Sequence, residues 1–158
     1  MTEQDIKAQI FSYLQPRRLM SLSTIASKNG PDICTVFYAV DKDLNLYFVS
    51  EPESNHVKNI IKNQTVGCAI TDSNQSVSDK KIGVQLSGLA EKITGVEAAS
   101  YAIDLWNAAN PGISSIINLG SITRKVIDSE VFRIRPTKIK FFNEKLFGEE
   151  GAEIIEIN

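Results

Sequence analysis

The chain of 158 residues has one histidine, two cysteines and one tryptophan. A single imidazole, His56, excludes metal sites built from several histidines and leaves no second histidine to partner a nucleophile. Cys34 and Cys68 stand far apart with no C-x-x-C, so no thiolate metal site is expected. Both lie in apolar, strand-like runs and read as buried small hydrophobes kept reduced in a cytoplasm. Charge of neither sign dominates: 17 Lys and Arg against 19 Asp and Glu leave a net −2. Such a chain lacks the basic surface that phosphate backbones select, and no nucleic-acid partner is expected. No apolar run approaches the ~20 residues that cross a bilayer. The start, MTEQDIKAQIF, mixes acids with a lone Lys and does not read as a signal peptide. The expectation is a cytoplasmic protein with no membrane partner. G-x-x-x-x-G-K-[ST], G-x-G-x-x-G and G-x-S-x-G are also missing, which argues against P-loop, dinucleotide-fold and α/β-hydrolase chemistry.

What remains is an ordinary globular composition, 42% hydrophobic and 8% aromatic, long enough for one domain over residues 1–158. Thr2-Glu3-Gln4-Asp5 reads as a capping box opening a helix with Ile6, Ile10, Phe11 and Leu14 on one face, stopped by Pro16. The period then switches to two. Met20–Ala26, Ile33–Val40 and Leu44–Ser50 read as strands of an antiparallel meander, turned at Asn29-Gly30 and at Asp41-Lys42-Asp43. A short helix follows Pro52-Glu53-Ser54. Thr65–Thr71 and Ile82–Ile93 are further strands, separated by a polar loop, and Gly88 marks a bulge or close approach. Thr94-Gly95-Val96-Glu97 is a second and firmer capping box, before a helix with the stripe Val96, Ala99, Ile103 and Trp106. Ile113–Leu119 reads as one more helical turn. Val131–Arg135 and Lys138–Asn143 are the last strand material, interrupted by Pro136, and Glu149, Glu150 and Glu153 form a solvated acidic tail.

Six antiparallel strands with few helices make the fold class mainly β (α+β), a closed or half-closed barrel. The second strand is apolar on both faces: Ile33, Phe37 and Ala39 on one, Cys34, Val36, Tyr38 and Val40 on the other. Sheets with one solvated face alternate cleanly. The outer face therefore needs cover from a second subunit, a helix or a ligand, and a homodimer supplies it most simply.

The run Leu46-Tyr47-Phe48-Val49-Ser50, the helix Ser54-Asn55-His56-Val57-Lys58-Asn59-Ile60 and the strand Gly83-Val84-Gln85-Leu86-Ser87-Gly88-Leu89-Ala90-Glu91 follow in that order. This arrangement resembles the pyridoxamine 5'-phosphate oxidase-like split-barrel flavoproteins over about Ile6 to Phe147. Ile139-Lys140-Phe141-Phe142-Asn143 with Leu146-Phe147-Gly148 is similar to a small bacterial branch of them, the YhbP-like group. The resemblance implies a six-stranded antiparallel split β-barrel with flanking helices, homodimeric, with flavin mononucleotide (FMN) in each groove between subunits. It implies an oxidoreductase acting on an unknown small molecule, with the flavin supplying the chemistry. It places Thr35, Val36 and Phe37 beside the flavin ring, with Val36 and Phe37 as apolar walls. It places Val49 and Ser50 against the cofactor, Ser54, Asn55, His56 and Lys58 near its phosphate, and Gln85 and Ser87 on the fifth strand.

No residue reads as a dedicated acid or base, so no catalytic residue is named. Where flavin-binding relatives carry basic residues, this chain has Cys34, Asn55 and His56. A non-catalytic binding protein that has lost the phosphate clamp is the alternative, as is a haem or deazaflavin ligand in the same groove. Several residues also have plain structural readings. Trp106 fits core or interface, Gln85 a hydrogen bond inside the barrel, and Lys80-Lys81 and Arg124-Lys125 solvated charge.

Overall fold

The computed structural model describes residues 1–26 and 30–157. Asn29, half of the expected hairpin turn, lies outside the described residues, while Gly30 has the positive φ of 78° that such a turn uses. Helix α1 (Glu3–Leu14) carries the expected capping box: Thr2 Oγ1 accepts from the Asp5 N–H, and Asp5 accepts from the Thr2 N–H. Strands β1 (Leu19–Ala26), β2 (Gly30–Val40) and β3 (Leu46–Ser50) form the meander. The Asp41 carboxylate organises the turn before β3, accepting from the N–H groups of Asp43 and Asn45, the Asn45 amide and the Tyr47 hydroxyl, each at 2.9 Å. Then come α2 (Asn55–Lys62), β4 (Thr65–Thr71), β5 (Ile82–Lys92), α3 (Val96–Ala109), α4 (Leu119–Thr123), β6 (Glu130–Asn143), α5 (Glu144–Phe147) and β7 (Ala152–Glu156).

The strands run β3-β2-β1-β4-β5-β6-β7, and β3 also pairs with β6, so six strands close into an antiparallel barrel with β7 appended. Inward residues of every strand, among them Leu22, Tyr38, Phe48, Ile70, Val84, Phe132 and Phe141, form one core. A helix packs into that core from each side. Ile10 and Leu14 of α1 are fully buried in it, and so, to within 2% exposure, are Val57 and Ile60 of α2. Among the described residues no helix is long and apolar enough to cross a membrane.

Four local expectations are corrected. Helix α3 is capped by Gly95, not by a box at Thr94: Thr94 stands one residue too early, and no side chain caps the helix start. The turn expected over Ile113–Leu119 forms but is confined to Ile113–Ile117, where the Ile113 carbonyl accepts from the Ile116 and Ile117 N–H groups, because Asn118 then caps α4 by accepting from the Ser121 N–H. Pro136 does not divide the last strand. It falls at a bulge where the register shifts between Ser87 and Gly88, and sheets tolerate proline there. Gly88 is required at that bulge, since a Cβ would lie 2.5 Å from the Arg135 carbonyl oxygen. Finally, the acidic tail is not free chain. Glu149, Glu150 and Glu153 are exposed, but Ala152–Glu156 is β7, which pairs with Lys138–Phe142 and buries Ile155.

Candidate functional site

Strand β3 pairs with β6 along its whole length, from Leu46 to Ser50, but with β2 only from Leu46 to Phe48, so Val49 and Ser50 have no β2 partner. The corner between β3 and α2 collects polar side chains. His56, one residue into α2, places Nε2 2.8 Å from Ser50 Oγ and 3.3 Å from Ser54 Oγ. The Ser54 hydroxyl donates to the Glu51 carbonyl at 2.7 Å. One turn on, Asn59 lies on the same helix face as His56. Its amide donates to Thr24 Oγ1 at 3.0 Å and to Asp32 Oδ2 at 3.3 Å. Thr24 and Asp32 are register partners on β1 and β2.

Burial holds His56 below its ordinary value, and the nearby Asp32 carboxylate opposes that shift. Half-burial, with Asp32 again adding to it, pushes the Cys34 thiol up, and deep burial raises Cys68 to about 12. Neither cysteine is an activated nucleophile.

The expected site residues divide into four groups. Ser50, Ser54 and His56 come together in this corner. Asn55 is exposed on α2, and Lys58 pairs outward with Glu53 at 2.8 Å. Thr35, Phe37, Gln85 and Ser87 all lie exposed on the outer face of the barrel. Thr35 and Gln85 share a row there, through the pairs Thr35–Ser21, Ser21–Ala69 and Ala69–Gln85. Three strand spacings separate them, about 14 Å. Gln85 therefore makes no hydrogen bond inside the barrel. Val36 and Val49 point elsewhere: Val36 is buried in the core and can offer a ligand only its backbone, and Val49 packs under α3 beside Tyr47 and Ile103. The apolar wall expected of Val36 is left to Phe37. Trp106 is buried, and its indole N–H donates to the Phe37 carbonyl at 3.1 Å, fixing α3 across the far end of β2.

Sequence reasoning missed Asp32, Asn59 and Thr24. The spacing from His56 to Asn59 was a usable signal; the approach of Asp32 and Thr24 depends on strand register and on where α2 docks.

With the geometry in place, comparison with known proteins is informative. Residues 6–143 match the sequence profile of pyridoxamine 5'-phosphate oxidase. The chain belongs to the pyridoxamine 5'-phosphate oxidase family. No curated protein matches it in sequence. Solved structures share the family's fold at low identity. A haem-binding protein from Mycobacterium smegmatis superposes with a TM-score of 0.71 at 17% identity, covering 99% of this chain and 59% of that one. A protein from Clostridium acetobutylicum related to general stress protein 26 of Bacillus subtilis gives 0.70 at 13% identity, covering 99% and 97%. A NimC/NimA family protein from the same Clostridium gives 0.68 at 14%, covering 98% and 94%.

Members of this family often bind flavin, so the corner can be tested for fit to a flavin phosphate. The start of α2 offers N–H groups and a dipole worth about 0.3–1 kcal/mol to an anion. Against it stand Asp32, a histidine held toward neutrality, and hydroxyls already engaged with each other through His56. Charge-assisted bonds of about 1.5–3 kcal/mol each are what would tip the balance. No arginine or lysine among the described residues joins this hydrogen-bonded cluster, and Lys58 is committed to Glu53. The residues present do not fit a phosphate dianion.

Proposed function

We propose that the protein is a homodimeric binding protein for a flat, conjugated ligand, keeping the groove of the flavin-binding split barrels without their phosphate clamp. One observation carries this reading, the character of the outer face of β1, β2, β4 and β5. Ile33 is 72% exposed, Phe37 53%, Leu19 50% and Ile25 42%, around the small residues Ser21, Ser23, Gly67 and Ala69. Soluble monomers seldom leave a contiguous apolar surface of more than a few hundred Å² uncovered. Helix α3 covers only the Ala39 end of β2, where Ala39 is 2% exposed. A second copy on the rest creates a crevice walled by Phe37, with Gln85 and Ser87 as polar groups across the face. A planar ring stacked on such a wall gains dispersion and burial without needing charge. The haem-binding relative from Mycobacterium smegmatis supports a flat ring as the ligand class.

An FMN-dependent oxidoreductase is the second reading. It is favoured by Lys138 and Lys140, which lie beside Ser87 and Gln85 and form no ion pair among the described residues. These lysines offer the positive charge that the corner lacks.

The test is a fluorescence and absorbance titration of the protein with riboflavin and with haemin. Saturable binding of one ring per chain, lost in Phe37→Lys, supports the reading. Failure of both rings to bind contradicts it.

A further inference from the structure

We infer that the β3–α2 corner selects an uncharged, hydroxyl-bearing arm on the ligand and rejects a phosphate. This deepens the proposed function and rests on it for the identity of the ring, but its chemistry is local. His56 sits between the two hydroxyls that would otherwise face an incoming anion, at 2.8 Å from Ser50 Oγ and 3.3 Å from Ser54 Oγ. Behind it the Asp32 carboxylate is held by the Asn59 amide at 3.3 Å, so a negative charge is fixed where a phosphate would need a positive one. A phosphate in this corner would face that charge, like charges at close range repel even at surface-like dielectric, and Asp32 cannot swing away without breaking its bond from the Asn59 amide.

The remaining groups form a mixed set of donors and acceptors: two serine hydroxyls, an imidazole, an amide and a carboxylate. Such a set matches hydroxyl groups, which donate and accept in turn, whereas a dianion can only accept and has no proton to give the Asp32 carboxylate. Ser50, Ser54 and His56 are half-buried, which keeps them within reach of solvent-borne ligand while strengthening each hydrogen bond.

Riboflavin and FMN make the experiment direct, because they share one ring and one ribityl arm and differ by the phosphate. Dissociation constants that agree within about threefold, or favour riboflavin, are expected for the wild type. In Asp32→Asn, FMN should gain several-fold relative to riboflavin, and an unchanged ratio of the two contradicts the inference. FMN binding tenfold or more tighter than riboflavin overturns the inference, unless Lys138→Gln/Lys140→Gln abolishes the preference, which places the phosphate on β6 and leaves the corner free of it.

A second measurement decides the corner even if no flavin binds, an outcome that dismisses the flavin-ring reading alone. His56 is the only histidine, so its ring proton gives one isolated signal in proton NMR. Its titration midpoint should move by less than about 0.2 unit when inorganic phosphate replaces chloride at equal ionic strength. A rise of about 1 unit or more means phosphate sits beside the imidazole and contradicts the proposal.

Discussion

The two helices that pack into the barrel do so with different chemistry. Helix α1 contributes Ile10 and Leu14, both fully buried, and its polar contacts with the barrel strands are single hydroxyl-to-carbonyl bonds. Tyr38 Oη donates to the Leu14 carbonyl at 2.8 Å and Tyr13 Oη to the Ile82 carbonyl at 3.0 Å. Helix α2 buries Val57 and Ile60 just as well, then adds His56 and Asn59 against Thr24, Asp32 and Ser50. Apolar packing alone would seal that side too. Buried polar groups must all be satisfied and add little net stability when they are. Both helices therefore anchor the barrel, and only the α2 side adds the polar groups on which the proposed recognition rests.

The largest expected effect that separates the two helices is in stability. Leu14→Ala should cost about 2–5 kcal/mol, the range for a buried leucine that leaves a cavity. Urea unfolding measures this, and the surviving folded protein should bind riboflavin as the wild type does. A loss below about 1 kcal/mol would mean that α1 is not the apolar anchor described.

Asn59→Ala should cost less, about 1–3 kcal/mol, because Thr24 Oγ1 and the Asp32 carboxylate lose a partner in a half-buried setting. Unlike Leu14→Ala it should also weaken ring binding, since it frees Asp32 to move. Unchanged binding alongside lowered stability would reduce the α2 side to a structural role like that of α1.

The smallest effect is the response to pH. Burial holds the His56 imidazole below its ordinary value near 6.5, so the unfolded chain takes up that proton more readily than the folded one. Stability then falls as pH drops below about 6.5. The fall in Tm between about pH 7.5 and pH 5.5 should be smaller in His56→Gln than in the wild type. An equal fall in both would show that His56 is not confined as described.

Most of the barrel was legible in the sequence, because period-two alternation and short turns are local signals. The Thr2 box formed while the apparently firmer one at Thr94 did not: residue types at the right spacing permit a box, but the chain path decides which residue is the cap. Strand β7 was hidden because Ala152–Glu156 becomes a strand only where β6, past its bulge, has an open edge to offer. Half of the corner was legible as well. Ser50, Ser54 and His56 are close in sequence across a strand-to-helix step, and they meet. Asp32 and Thr24 were not, since they join through the β1–β2 register and the docking of α2. Nor could alternation say that Val36 faces the core while Phe37 faces out, a matter of which face the barrel encloses.

The mass of the protein in solution, measured by light scattering at the concentration used for ligand binding, tests the central claim most directly. One chain is 17.5 kDa. Pairing across Ile33, Phe37 and Leu19 predicts about twice that mass for the wild type and the single-chain value for Phe37→Lys. A wild type that scatters as one chain would contradict the account, because the outer face would then be free surface with no crevice to hold a ring.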